Sequence, residues 1–120
     1  MKLNLRFLKY DQFKNPIFIA SSRKDTEIAS FTKLREYYEQ IRSYEFDTFI
    51  PIYYDVENQF ASIRFKHKGA QLEFGAVYSV DFKITKKEKL SKIYVNCYID
   101  KIKLIAKAEK IDRGEELDFD

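Results

Sequence analysis

Polar and apolar residues alternate from the start of the chain. Lys2-Leu3-Asn4-Leu5-Arg6-Phe7 has the period of two expected of a strand with one buried face, with Leu3, Leu5 and Phe7 inward. Turn-forming residues from Asp11 to Pro16 interrupt the alternation, and Ile17-Phe18-Ile19-Ala20 follows as a second short strand, paired with the first as a hairpin. From Asp25 the period changes. Ile28, Phe31, Leu34, Tyr38 and Ile41 recur at spacings of three and four, which predicts a helix from about Thr26 to Arg42 with Asp25 or Thr26 as N-cap. Strand signals return at about 46–55, 60–66, 72–85 and 91–107. The last two runs are too long for straight strands, so bends or bulges are expected near Gly75 and near Asp100-Lys101, where the alternation loses phase. The predicted class is mainly β with one helix, in the order ββαββββ, and long bent strands of this kind suit closure into a small antiparallel barrel. An α+β sheet with one packed helix, as in cystatin-like folds, fits the same order.

Alternation also assigns faces. Burying Ile93, Val95, Cys97 and Ile99 forces Lys92, Tyr94, Asn96 and Tyr98 onto the opposite side. In 60–66, Ala61, Ile63 and Phe65 are expected inside, with Phe60, Ser62, Arg64 and Lys66 outside. In 46–55, Ile50 and Ile52 go inward and Phe49 and Tyr53 outward. In 78–84, Tyr78, Val80, Phe82 and Ile84 go inward, with Ser79, Asp81 and Lys83 outward. Four strands thereby offer a face on which aromatic and basic residues alternate, diluted by Asp81.

Composition narrows the possibilities. The 120 residues, 45% of them hydrophobic, can form one core, so a single domain over 1–111 is expected, followed by an acidic tail over 112–120. Net charge is +3, but residues 112–120 carry −4, which leaves +7 on the body. A basic body favours a polyanionic partner, because each neutralised phosphate releases condensed counterions. No apolar run suits a transmembrane span or a signal peptide, and Cys97, the only cysteine, fits a reducing compartment; a cytoplasmic location is expected.

Catalytic candidates are few. His67, the only histidine, sits between Lys66 and Lys68 and lacks the partners a zinc site needs. Cys97 is in phase with core positions and reads as a small hydrophobe. Asp55 with Asp81-Phe82-Lys83 loosely fits a Mg²⁺ nuclease, a pattern that arises readily by chance in a chain 34% charged. The glycines at 69 and 75 form no phosphate loop. Neither enzymatic activity nor a cofactor is expected.

The aromatic-basic face carries more. Rings spaced along a basic groove hold single strands by base stacking, with little regard to sequence. Tyr53, Phe60, Tyr94 and Tyr98 are the stacking candidates, and Arg64, Lys66, Lys83, Lys86, Lys87 and Lys92 the phosphate contacts. Lys86-Lys87-Glu88-Lys89 is expected at a flexible hairpin tip. The same rings could instead pack beneath the helix or form a subunit interface.

Gly75-Ala-Val-Tyr78-Ser-Val80-Asp-Phe82-Lys-Ile84, the lysine-rich tip and the returning Ile93-Tyr-Val-Asn-Cys-Tyr-Ile-Asp-Lys-Ile102 resemble consecutive long strands of an oligonucleotide-binding (OB) barrel. Size and Lys/Ile/Phe/Tyr-rich wording further resemble the small single-stranded DNA-binding proteins of phages infecting lactococci and related bacteria. That resemblance implies an OB barrel, homo-oligomers (dimer or tetramer), and protection of single-stranded DNA during phage replication and recombination in the infected host cytoplasm. Glu115-Glu116-Leu117-Asp118-Phe119-Asp120 resembles the acidic, Phe-ending tails that recruit replication and recombination proteins in the wider class, which would give Glu116, Asp118 and Phe119 a partner-binding role. Here Phe119 is penultimate and no proline precedes it. The helix also departs from the usual barrel, where it lies between the third and fourth strands. The rival function is a phage-encoded interaction module or inhibitor of a host protein, for which exposed tyrosines are equally suited.

Overall fold

The alternating start forms β1 (Lys2–Tyr10), and β2 (Pro16–Ser21) pairs with it antiparallel. These and the other elements come from a computed structural model that describes residues 1–43, 47–67 and 71–108. Asp11 builds the turn between the two strands. Its Oδ1 accepts the N–H groups of Phe13 and Asn15 at 2.8 and 2.9 Å, as short acidic side chains do in turns. Burial works against the ionised form, but those hydrogen bonds and nearby Arg64 hold the Asp11 carboxyl below its usual range.

The helix, α1, runs from Ile28 to Arg42. It begins two residues later than the periodicity predicts, and neither Asp25 nor Thr26 is its cap. The N–H groups of Glu27 and Ile28 bond to the Lys24 carbonyl at 2.8 and 2.9 Å, so a preceding turn satisfies donors that a cap would otherwise serve. Glu27 is 1% exposed. Its carboxylate accepts the Ser21 N–H at 2.9 Å and the Arg6 Nε–H at 3.1 Å, which satisfies a buried charge. Leu34 and Ile41 enter the core and Phe31 and Tyr38 pack at its edge, whereas Ile28 is exposed. Ser30 is buried instead, its Oγ accepting the Asn4 N–H at 3.1 Å.

The strand expected over 46–55 is two strands, β3 (Asp47–Phe49) and β4 (Ile52–Asp55), parted at Ile50-Pro51. Proline has no N–H to continue a ladder. After them come β5 (Phe60–Arg64), β6 (Val77–Lys89) and β7 (Lys92–Ala106). One seven-stranded sheet takes the order β3-β7-β6-β1-β2-β5-β4; every pair is antiparallel except β3 with β7. The two ends of this order, β3 and β4, are only two residues apart in the chain. The Lys66 N–H also donates to the Cys97 carbonyl at 2.8 Å, tying the end of β5 to β7. The sheet therefore curls strongly into a half-barrel, an OB-like small barrel with one helix, although mixed rather than wholly antiparallel.

Two extra residues in β7 produce the curl along the longest hairpin. Asp81 pairs with Lys101 and Phe82 with Ile99, leaving Asp100 unmatched, and Ile105 is skipped likewise between Leu104 and Ala106. Such bulges bend a strand and increase its twist. The first is where the alternation predicts a bend; Gly75, the other predicted site, lies in the turn before β6 at φ +82°. Inside the curl, Phe7, Phe18, Phe65 and Phe82 come from different strands or strand ends, with ring centroids 5.1–5.5 Å apart along the series. Each is fully buried, stabilising by about 1.5–3 kcal/mol. Ser79, expected outside, is buried where β6 lies between β1 and β7.

Candidate nucleic-acid interface

Strand β7 organises the strongest constellation. Ile93, Val95 and Cys97 are buried, and the alternate residues Lys92, Tyr94, Asn96 and Tyr98 occupy the outer side. Register then decides their neighbours. Tyr98 is paired with Lys83, Asn96 with Thr85, Tyr94 with Lys87 and Lys92 with Lys89, so each tyrosine has a lysine beside it on β6. On the other side of β7, Phe49 is paired with Tyr94. Their rings stack at 5.0 Å between centroids and 6° between planes, and Lys92 Nζ lies 5.7 Å from the Phe49 ring centroid. The stack remains accessible, with Tyr94 36% and Phe49 52% exposed. The Lys66 hydrogen bond brings that residue's backbone alongside the Cys97-Tyr98 peptide. Tyr94 and Tyr98 lie four residues apart, roughly 13 Å at strand rise.

Tyr53, Phe60 and Arg64 form a second group on β4 and β5. Tyr53 is paired with Ser62 and is 57% exposed, whereas Phe60 is half-buried. Arg64 Nε lies 3.9 Å from Asp11 Oδ2, so its charge is partly answered within the protein. In strand order this group is separated from β6 and β7 by β1 and β2. The expected single face is thus two patches on the curled sheet, which approach each other at Lys66.

Lys86 departs from the expectation. The segment 86–89 belongs to β6 rather than to a flexible tip, and the turn is Leu90-Ser91. Lys86 is paired with buried Val95, which places it on the side of the hairpin opposite Lys83 and Lys87, with its Nζ 4.0 Å from Glu88 Oε2. Glu116, Asp118 and Phe119 lie outside the described residues, as does Lys68. Phe13 was not legible as a site residue, because it sits in a segment read only for its turn chemistry; it is exposed and lines a shallow cavity of about 490 Å³ with Asn15, Lys66 and His67.

Among the described residues no three His, Cys, Asp or Glu side chains are grouped to hold a metal. Asp81 faces Lys2 and Lys101 in the sheet, while Asp55 bonds to Asn58 at 2.8 Å, and that bond leads the contacts holding its carboxyl below the usual range. Burial pushes the Cys97 thiol up to about 12, leaving it neutral and unreactive. Among the described residues no helix is long and apolar enough to cross a membrane. Comparison of the chain with protein-family models, curated proteins and solved structures finds no match.

Proposed function

We propose that the chain is a non-enzymatic, sequence-tolerant single-stranded DNA-binding protein. The observation that carries this reading is the outer side of β7: two tyrosines four residues apart, each with a β6 lysine in register, the first extended by the Phe49 ring. Stacked rings accept any base, and the lysines meet the phosphates between. Duplex DNA offers no unstacked bases to such a surface. Following the resemblance to small phage proteins, the protein acts as a homo-oligomer in the cytoplasm of an infected bacterium, protects DNA in replication and recombination, and recruits partner enzymes through its acidic end.

Fluorescence anisotropy of a labelled oligothymidine of about 30 nucleotides tests this at two salt concentrations. The expected result is submicromolar binding that duplex does not displace and that weakens with a log-log slope of about −0.7 per contacted phosphate. Absence of binding at low salt would overturn it. One cluster favours the rival protein-interaction reading: on α1 and β4, Tyr38 and Tyr54 pack edge to face at 4.9 Å, with Arg42 and Arg35 over their rings, and Tyr and Arg are enriched at interface hot spots. Salt-insensitive association with a host protein, without oligothymidine binding, would establish that reading instead.

A further inference from the structure

The tip of the β6–β7 hairpin combines three features that are unfavourable in the free protein. Leu90 and Ser91 both have positive φ, 52° and 64°, a pairing that hairpin turns normally assign to Asn-Gly or Asp-Gly. Leu90 is also 87% exposed, the highest value among the exposed large hydrophobic residues described. Directly behind it Lys89 is paired with Lys92, and like charges placed opposite each other on a sheet repel. Residues 83–92 carry five lysines and one glutamate, so the whole arm is cationic. Beyond Phe82, which Met1 still bonds at 2.7 and 2.9 Å, β6 has only β7 as a ladder partner, while β3 lies along the other edge of β7 at Lys92–Tyr94.

A single ligand chemistry answers the last two features: phosphates for the lysines and a flat apolar surface for the leucine. The end of a DNA duplex presents both, since its terminal base pair exposes a π-face flanked by two phosphate chains. Proteins that kink DNA use leucine, phenylalanine or proline in this way, as apolar wedges between base steps. Tyr98, Tyr94 and Leu90 follow one another at intervals of four residues, so a strand stacked on the tyrosines would run toward the tip. We propose that Leu90 is a wedge that meets the first base pair where bound single strand becomes duplex, and that the protein prefers such junctions and opens them.

This inference rests on the single-strand reading, and the test separates the two. The wild-type protein and the variants Leu90→Asn and Leu90→Gly are titrated against oligothymidine, and against a duplex with a thymidine overhang carrying 2-aminopurine in its terminal pair. Asparagine and glycine both accept positive φ, so the turn is retained and the variants should melt no lower than wild type. The wild type is expected to bind the junction about fivefold or more tighter than oligothymidine and to raise 2-aminopurine fluorescence as the terminal pair unstacks. Both variants should keep oligothymidine affinity within about twofold, because the stacking residues are untouched, while losing the junction preference and the fluorescence rise. Oligothymidine binding with no junction preference in the wild type, or a preference unchanged in the variants, would overturn the wedge alone. Failure of the wild type to bind oligothymidine would overturn both.

Discussion

The outer patches on β6–β7 and on β4–β5 are built from the same residue types and differ in what surrounds them. On β7, Tyr94 and Tyr98 have Lys87 and Lys83 in register. On β5, Arg64 stands 3.9 Å from Asp11 and Phe60 is half-buried. An aromatic ring beside a cation directed to solvent can bind a base and its phosphate together. A ring whose neighbouring cation is engaged by an internal carboxylate offers stacking with less electrostatic support. Under the proposed function, cross-strand neighbours, rather than the count of aromatic and basic residues, set the β6–β7 patch apart from that on β4–β5.

This contrast can be broken by substitution. Tyr94→Ala and Tyr98→Ala should produce the largest loss, each removing one stack of about 1–3 kcal/mol and lowering oligothymidine affinity roughly 5- to 150-fold. Circular dichroism should find both variants folded, because neither ring is in the core; unfolding would mean that the rings act as packing. Lys83→Ala and Lys87→Ala should weaken binding less, and salt titration should find the log-log slope shallower by about 0.7 for each phosphate that is no longer neutralised. An unchanged slope would remove those lysines from the site. Tyr53→Ala and Arg64→Ala should have the smallest effects, below about threefold in anisotropy titrations, since Arg64 shares its charge with Asp11 and Tyr53 has no lysine in register beside it. A loss there equal to that at Tyr94 would merge the two patches into one site.

The faces of β1, β5 and β7 were legible because each buries one side. Leu3, Leu5 and Phe7, then Ala61, Ile63 and Phe65, then Ile93, Val95 and Cys97 are all buried as alternation requires. Asp100 was legible as a bulge for the same reason, as an added residue shifts the phase. The break at Ile50-Pro51 was not, since both halves are β-rich and only the different partners, β7 and β5, separate them. Ser79 was misplaced by polarity, which local pattern reads as solvent-facing; tertiary packing between β1 and β7 covers it. Lys86 depends on register, which shifts a side chain to the other face with a one-residue slip. The Leu90-Ser91 turn contains neither glycine nor asparagine, so no turn signal marked it. For the site, the sequence supplied the tyrosines of β7 but not Phe49's place against Tyr94, which follows from a parallel pairing between distant segments.

The central claim is that bases lie against the outer tyrosines of β7. Photocrosslinking of a halogenated oligodeoxyuridine to the protein, followed by mass spectrometry of the tryptic peptides, tests it residue by residue. The account predicts that adducts concentrate on the peptide 93–101, at Tyr94 or Tyr98. Adducts confined to Tyr53 or Phe60, with 93–101 unmodified at saturation, would contradict it.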